Sequence, residues 1–261
     1  GAFQTGVLVI PKSMYGFEQI HFSDYANGDG ACVTSILENP GNGDLWIGTD
    51  GAGLYRIDKD GRKSHFTSSN SRLSNNSIMS LEIDRRGTLW IATYLGGLVK
   101  WTPEGGFRSF RDQKALNTER AVCLEYSAKN DLLYIGTHGN GMSVIRLPEE
   151  KIEHTFSDND NKWISDLYID KAGMLWVGTY NGPMLYDHRT GILKDYEIGE
   201  SLKTRVQSFC ESSDGIIWIC SGEGLTGIDR NSRNISYFTE DDGLPSNVLN
   251  DIQEGNDGHL W

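Results

Sequence analysis

Arginines and aromatic residues at loop positions are the part of this chain whose chemistry could serve a ligand. A guanidinium group donates a planar pair of hydrogen bonds that fits a carboxylate or a sulfate, and an aromatic ring can stack on a sugar. The candidate ligand-binding residues are Arg72, Tyr94, Arg120, His138, Trp163, Tyr180, Arg205 and Glu223. Because they are spread along most of the chain, they can form one site only if the fold brings their loops together.

The repeat is marked by an aromatic residue inside a short apolar segment, first seen as Leu45-Trp46-Ile47-Gly48-Thr49. The aromatic residues at positions 46, 90, 134, 176, 218 and 261 are separated by 44, 44, 42, 42 and 43 residues. A four-stranded propeller blade takes about 40–50 residues in known repeat families. The spacing therefore predicts an all-β fold, a β-propeller of four-stranded antiparallel blades.

Residues 77–110 show the order of the strands within one repeat. Ile78 to Ile83 alternates apolar and polar residues, which is typical of a half-buried strand. A turn containing Gly87 leads to a second strand that carries Trp90, and a glycine-rich turn leads to the third and fourth strands. The same order recurs along the chain and predicts five full blades, at about residues 31–67, 77–110, 120–156, 163–196 and 205–238.

Both ends of the chain resemble parts of a blade. Residues 1–22 match a third and a fourth strand, and residues 247–261 match a first strand and the start of a second. The two half-blades could complete a six-bladed ring, which leaves no open sheet edge. The alternative is a fragment of a larger propeller, and this is favoured because the sequence ends on an anchor residue, Trp261. We expect residues 1–261 to form a single propeller domain or a propeller segment.

Strand alternation places the loops after each second strand at the same face as the loops that join consecutive blades. Such loops carry recognition while the strands beneath them stay constant. The first kind of loop contributes Tyr94, His138, Tyr180 and Glu223, and the second kind contributes Arg72, Arg120, Trp163 and Arg205. The periodic anchors such as Trp46 are predicted to fill the core between neighbouring sheets instead.

Composition argues against several classes of partner. The 261 residues carry a formal net charge of −12, and they include no run rich in lysine and arginine that would suit nucleic acid or an anionic membrane. No apolar run reaches the length of about 18 residues that a membrane-spanning helix needs. We expect no nucleic-acid partner and no direct membrane insertion by this segment.

Sequence motifs of catalysis are also missing. The chain contains no G-x-S-x-G nucleophile elbow, no H-E-x-x-H pair and no P-loop. Its six histidines fall at different places in their repeats and show no metal-ligand spacing. We expect no catalytic residue, no metal site and no cofactor in this segment.

The segment from Ser77 to Leu98 closely follows the pattern V-x-x-I-x-x-D-x-x-G-x-L-W-I-G-T-x-x-G-G-L, and Leu244 to Val248 matches a segment that precedes such blades. The pattern resembles the two-component regulator propeller repeat, and the resemblance covers nearly the whole chain. That repeat fills the sensing ectodomains of hybrid two-component sensors in Bacteroidetes. The resemblance implies a periplasmic, non-catalytic sensing domain of an inner-membrane sensor histidine kinase.

The same resemblance implies the partners. The ligand is expected to be derived from a glycan, either an oligosaccharide or another small ligand. Further propeller blades of the same protein, and a second copy of the chain in a homodimer, are the other expected partners.

Two other functions stay open on the sequence alone. A protein–protein interaction scaffold would use the same face for a protein partner. A streptogramin-lyase-like enzyme would use a similar propeller with a cation site and a histidine base, and only His138 lies in a suitable turn.

Overall fold

A computed structural model describes residues 7–9, 18–20, 32–113, 116, 118–157, 163–196, 202–232 and 234–261 of the chain. The chain divides into two compact units, residues 1–124 and 125–261. The described residues form five four-stranded sheets and one two-stranded pair, and each sheet holds its strands in chain order. The predicted all-β fold of four-stranded antiparallel blades is confirmed.

The first unit contains the two-stranded pair and two of the sheets. The pair consists of β1 (Val7–Val9) and β2 (Glu18–Ile20). The first sheet consists of β3 (Cys32–Glu38), β4 (Leu45–Asp50), β5 (Gly53–Ile57) and β6 (Lys63–Phe66). The second sheet consists of β7 (Ile78–Ile83), β8 (Leu89–Thr93), β9 (Gly97–Thr102) and β10 (Gly106–Ser109).

The unit boundary falls inside β11, the first strand of the third sheet. The third sheet consists of β11 (Ala121–Ser127), β12 (Leu132–Thr137), β13 (Met142–Arg146) and β14 (Lys151–Phe156). The fourth consists of β15 (Ile164–Ile169), β16 (Leu175–Thr179), β17 (Gly182–Asp187) and β18 (Ile192–Asp195). The fifth consists of β19 (Val206–Glu211), β20 (Ile216–Ser221), β21 (Gly224–Asp229) and β22 (Asn234–Phe238).

Residues that follow the fifth sheet form less regular structure. A short 3-10 helix spans Glu240–Asp242. Gln253 and Trp261 then exchange two main-chain hydrogen bonds, at 3.1 and 2.9 Å, around a turn. Of the predicted half-blade 1–22, only β1 and β2 belong to the described residues. Within the part of the chain that the structure describes, no helix has the length and apolar character needed to cross a bilayer.

A hydroxyl group at the end of each second strand ties the turn that follows. In every sheet this hydroxyl donates a hydrogen bond to the carbonyl oxygen of the glycine at the start of the third strand or, for Gly141, directly before it. The pairs are Thr49–Gly53, Thr93–Gly97, Thr137–Gly141 and Thr179–Gly182 at 2.7 Å, and Ser221–Gly224 at 3.1 Å.

Glycine is required at the accepting position for two reasons. Gly141 has φ +75°, and a Cβ atom there would lie 1.8 Å from the carbonyl oxygen of Phe156. Only glycine adopts such a φ without strain, and a side chain would also push the fourth strand away. The hydrogen bond from the hydroxyl accounts for the recurring threonine. The positive φ and the short distance to the fourth strand account for the recurring glycine.

Four of the six anchor aromatics are buried in the core, as predicted: Trp46, Trp90, Tyr134 and Trp176. Trp218 is half-buried, and Trp261 is 78% exposed, so the prediction is wrong for Trp261. Trp46 is fully buried among residues of the next sheet, including Ile78 and Leu81. Trp176 is likewise buried against Val206 and Phe209. A fully buried aromatic side chain removes about 150–250 Å² of surface from water, so each buried anchor is a main source of cohesion between adjacent sheets.

Small residues beside the anchors let the next sheet approach. A Cβ atom on Gly48 would lie 2.6 Å from Cγ2 of Ile78, and one on Gly178 would lie 2.9 Å from Cγ1 of Val206. Both distances are too short for a real contact. The glycine two residues after the anchor is therefore set by packing between sheets, as its place on the anchor's face predicts.

A β-bulge recurs near the start of the first strand. In four sheets the pairing with the second strand shifts by one residue, and the extra residue is Thr34, Met79, Ser165 or Gln207. A bulge bends its strand and increases the local twist. The chain therefore bends just after it enters the sheet from the inter-blade loop.

Candidate functional site

Main-chain pairing brings the two kinds of candidate loop together at one end of the sheets. Tyr94, after β8, pairs with Arg120, before β11, and His138, after β12, pairs with Trp163, before β15. The amide of Tyr180 donates to the carbonyl oxygen of Trp163 at 3.2 Å. The residue after each second strand thus lies beside the residue that enters the next first strand.

Four candidate residues of the second unit form one group, which we call the rim cluster: His138, Trp163, Tyr180 and Arg205. The Trp163 ring centroid lies 5.3 Å from that of His138 and 5.5 Å from that of Tyr180. The rings of His138 and Tyr180 are 5.9 Å apart in an edge-on arrangement. The three rings therefore contact one another in every pairing, so each restricts the orientation of the other two.

Trp163 offers an open aromatic surface in the rim cluster. Its side chain is 43% exposed, although a tryptophan is normally one of the more buried residues. The turn beneath it contains Gly139, where a Cβ atom would lie 3.9 Å from the indole ring. The indole is held by its neighbours and by this turn, and it still exposes part of its surface to solvent.

Arg205 supplies the charge of the rim cluster. Its guanidinium carbon lies 4.3 Å from the ring centroid of Tyr180, which is a cation–π contact. Among the described residues, no carboxylate forms an ion pair with Arg205, and its side chain is exposed. A guanidinium group over an aromatic ring keeps its N–H groups available for other acceptors.

Lys203 is not among the predicted site residues, but it lies two residues before Arg205 of the rim cluster. The segment from Leu202 to Arg205 runs against the β16–β17 turn, where a Cβ atom on Gly182 would lie 2.4 Å from the carbonyl oxygen of Leu202 and 3.9 Å from the Cα atom of Lys203. Lys203 is exposed. Two cationic residues, separated by one position in an inter-blade segment, are the sequence signal that could have identified it.

The remaining candidates are placed less closely. In the first unit, Tyr94 lies beside Arg120 through the main chain, and its amide donates to the carbonyl oxygen of Ser77 at 2.9 Å. Arg72 is exposed in the segment between β6 and β7. Glu223 is exposed in the β20–β21 turn, where its amide donates to the hydroxyl of Ser221 at 3.1 Å.

A cavity of about 350 Å³ lies between the third and fourth sheets of the second unit. Its wall is mainly apolar and includes Ile164, the residue that follows Trp163. The other lining residues are Met142, Thr155, Phe156, Ser157, Met184 and Leu193. Its size and apolar wall are suited to a small apolar group.

A second depression, of about 430 Å³, is more polar and includes Glu211, Asp251 and Glu254 in its wall. These carboxylates are engaged within the fold. Glu211 accepts the amide of Lys171 at 2.6 Å and contacts Arg230 at 3.3 Å, and Asp251 accepts the hydroxyl of Ser208 at 2.7 Å. In the described part of the chain, no group of three or more metal-ligating side chains is present.

Two carboxyl groups in first strands have perturbed acidity. Burial raises the pKa of Asp166 to about 7, although its Oδ2 accepts the amide of Phe209 at 3.0 Å. Burial also raises the pKa of Glu82 to about 7. Both lie in first strands rather than in the rim cluster, so we treat them as part of the scaffold.

The repeated units match a known family. Residues 72–95 and 157–181 match the family described as Two component regulator propeller. The chain carries two-component regulator propeller repeats. The second match begins just before Trp163 and ends just after Tyr180, so it spans the core of the rim cluster. The five sheets are therefore propeller blades.

The chain is similar to proteins of two-component signalling. It is 30% identical over 222 residues to Histidine kinase P4 of Formosa agariphila, over 77% of this chain and 16% of that protein. It also resembles the extracellular domain of a hybrid two component system from B. thetaiotaomicron, with a TM-score of 0.74 and 26% identity over 94% of this chain and 33% of that chain. The chain therefore spans only about a sixth of the kinase and a third of the solved domain.

An enzyme shares the fold. The virginiamycin B lyase of Staphylococcus aureus has a TM-score of 0.71 and 15% identity, over 93% of this chain and 79% of that chain. At this level of identity the likeness establishes the fold and says nothing about the reaction.

Proposed function

We propose that this chain is the extracytoplasmic ligand-sensing part of a hybrid two-component sensor histidine kinase, and that it binds a glycan-derived ligand without catalysing a reaction. The observation that carries the proposal is the rim cluster, in which a half-exposed Trp163 is held between two other rings with Arg205 beside them. Rigid rings at the end of a propeller blade offer a stacking platform for a sugar. The likeness to the extracellular domain of a hybrid system supports the sensing role.

The location and the partners follow from this role. We place the chain in the periplasm, joined to further propeller blades of the same protein and to a kinase module beyond the membrane. A bound ligand would change how this segment packs against those blades or against a second copy in a homodimer. Such a signal requires only that the ligand prefers one of two arrangements.

The direct test is binding of oligosaccharides to the chain and to two tryptophan variants. Thermal unfolding is measured with neutral and acidic oligosaccharides, because a ligand at about 100 times its Kd adds about 2.7 kcal/mol to the free energy of unfolding. Trp163→Ala should abolish the rise in Tm. Trp261→Ala is the matched control, since Trp261 is 78% exposed and lies outside the rim cluster.

The outcomes separate the alternatives. A glycan-dependent rise in Tm that Trp163→Ala removes and Trp261→Ala retains supports the sensor. An absence of response to every glycan, together with a defined protein partner whose binding depends on Trp163, supports the interaction scaffold instead. Ring opening of a cyclic depsipeptide lactone in the presence of magnesium would support the lyase.

A further inference from the structure

We infer that the rim cluster selects a sugar that carries a carboxylate, a hexuronic acid residue, and that Arg205 is the residue that makes this selection. The inference rests on the proposed function, because it names the class of glycan that the proposed binding surface takes. It concerns the choice between charged and neutral sugars, which the fold does not settle.

Arg205 has a contact on its guanidinium group but, in the described ranges of the chain, no opposite charge to neutralise it. Among the described residues it has no carboxylate partner, while its guanidinium group is stacked on Tyr180 at 4.3 Å. Stacking of this kind uses the face of the guanidinium plane and leaves its edge free. The N–H donors of Arg205 are therefore available to a ligand beside the Tyr180 ring.

The N–H donors of Arg205 are suited to a carboxylate on the ligand. A carboxylate has two oxygens in one plane, and it accepts two parallel hydrogen bonds from a guanidinium group. A neutral sugar hydroxyl carries no charge, so it forms weaker hydrogen bonds and leaves the charge of the arginine uncompensated. The orientation imposed by Tyr180 therefore favours an acidic sugar over its neutral counterpart.

The stacking surface of Trp163 and the charge of Arg205 are connected by contacts through Tyr180. The Trp163 ring lies 5.5 Å from the Tyr180 ring, and Tyr180 carries Arg205 at 4.3 Å. In a hexuronic acid the carboxylate is attached directly to the sugar ring. Trp163 and Arg205 both contact the Tyr180 ring, so a sugar ring stacked on Trp163 would direct its own carboxylate toward Arg205.

The fourth step concerns the charge of the surroundings. The chain as a whole has a formal net charge of −12, which repels an anionic ligand. Lys203 and Arg205 form a local cationic segment beside the β16–β17 turn. A local positive charge on an acidic protein has an effect mainly over short range, because salt screens charges beyond about 8–10 Å.

Tyr180 acts in this scheme as a positioning residue. Its ring fixes the plane of the guanidinium group, so its removal should reduce the preference for acids more than it reduces sugar binding. Tyr180→Phe retains the ring, and we expect it to keep the preference. Tyr180→Leu removes the aromatic face, and we expect the acid to lose affinity while the neutral sugar changes less.

The experiment measures acid selectivity with matched probes. Isothermal titration calorimetry compares trisaccharides of galacturonate, mannuronate and guluronate with their methyl esters, which have the same rings without the charge. We expect at least one acid to bind about 10- to 100-fold more tightly than its ester, as charge-assisted hydrogen bonds predict. Added salt should weaken the binding of the acid and leave that of the ester unchanged.

Variants of Arg205 decide whether it is the cause. Arg205→Gln should reduce the acid-to-ester ratio to about one, and Arg205→Lys should retain only part of it because lysine lacks the planar pair of donors. Arg189→Gln is the matched control, since Arg189 is also exposed but lies in the β17–β18 turn. The control should leave the ratio unchanged.

The possible failures can be told apart. Equal affinity for an acid and its ester, or a ratio that survives Arg205→Gln, overturns this inference alone and leaves a neutral-glycan sensor. Tighter binding of sulfated trisaccharides than of the acids also overturns it, because it assigns the site to a sulfate ester. An absence of binding by every neutral, acidic and sulfated sugar overturns the proposed function and this inference together.

Discussion

Two adjacent positions at the end of each second strand behave in opposite ways. The first position holds a hydroxyl residue in all five sheets, and this hydroxyl always binds the carbonyl of the following glycine. The next position holds Asp50, Tyr94, His138, Tyr180 or Gly222. The first position requires a hydroxyl residue, because its side chain binds a main-chain carbonyl. The second position can hold different residues, because that hydrogen bond already stabilises the turn.

The tryptophans of the fourth blade repeat this contrast on a larger scale. Trp176 is fully buried, and its Nε1 donates to Asp170 at 2.8 Å. Trp163 is 43% exposed and contacts two other rings of the rim cluster. One blade therefore contains both the scaffold and the candidate recognition surface. It uses a buried tryptophan for the first and an exposed tryptophan for the second.

The largest expected effect tests the contrast between the two tryptophans. Trp176→Ala should lower the free energy of unfolding by about 3–5 kcal/mol, because it opens a large cavity and leaves Asp170 without one of its donors. Trp163→Ala should cost about 1 kcal/mol, since much of its surface is already in water. Urea unfolding measures both, and equal losses for the two variants would contradict the division.

The next effect concerns two glycines of one turn. Gly141→Ala should lower the free energy of unfolding by about 2–4 kcal/mol, because the new Cβ meets the carbonyl of Phe156 and φ is +75°. Gly139 also has a positive φ, of +97°, but its Cβ would be 3.9 Å from the nearest atom. Gly139→Ala should therefore cost only about 1 kcal/mol of conformational strain. Thermal unfolding of both variants checks the difference.

A smaller effect distinguishes Thr137, whose hydroxyl binds the main chain, from the variable position that His138 occupies. Thr137→Val keeps the shape of the side chain but removes the hydrogen bond to the buried carbonyl of Gly141, and we expect a loss of about 1–2 kcal/mol. His138→Ala, one residue later, should change the free energy of unfolding by about 0.5 kcal/mol or less. If His138→Ala proves the more damaging of the two, the residue after the tie belongs to the scaffold.

A further effect concerns the dependence of stability on pH. Burial raises the pKa of Asp166 to about 7, against about 3.9 in an unfolded chain. The folded state therefore binds more protons than the unfolded state between these values, and stability falls as the pH rises from about 4 to 7. We expect Asp166→Asn to remove the part of this fall that Asp166 causes, since the amide is neutral throughout.

Urea unfolding at pH 5 and pH 8 measures this dependence. Asp60→Asn, at an exposed turn position, is the control and should leave the fall in stability unchanged. Part of the fall should remain in Asp166→Asn, because burial also raises the pKa of Glu82 to about 7. A variant as pH-dependent as the original chain would show that Asp166 titrates normally in the folded state.

Much of the fold is predictable because packing imposes a period on the sequence. A large ring is required once per blade, and a glycine is required where a turn needs a positive φ, so both recur in the sequence. One exception is instructive. The turn before β12 has no glycine, and Asp131 takes its place with φ +56°. Asp and Asn tolerate this region better than other side chains.

Less of the candidate site is predictable, because side-chain contacts have no period. The sequence places His138, Trp163, Tyr180 and Arg205 in loops at one face, but it cannot show that Arg205 stacks on Tyr180. Nor does the repeat reveal that Nε1 of Trp46, unlike that of Trp90, has no hydrogen-bond partner among the described residues. One additional residue in the turn before Trp46 shifts the acceptor away.

The bulge in the first strand also matters for anyone who wishes to transplant the site. In the fourth blade the extra residue, Ser165, lies two positions after Trp163 and bends the strand there. A graft of the four side chains onto a regular strand of another protein would aim the indole in a different direction. The transferable unit is therefore the backbone irregularity together with the side chains, and an engineer who wants new specificity should retain Ser165 and exchange its neighbours.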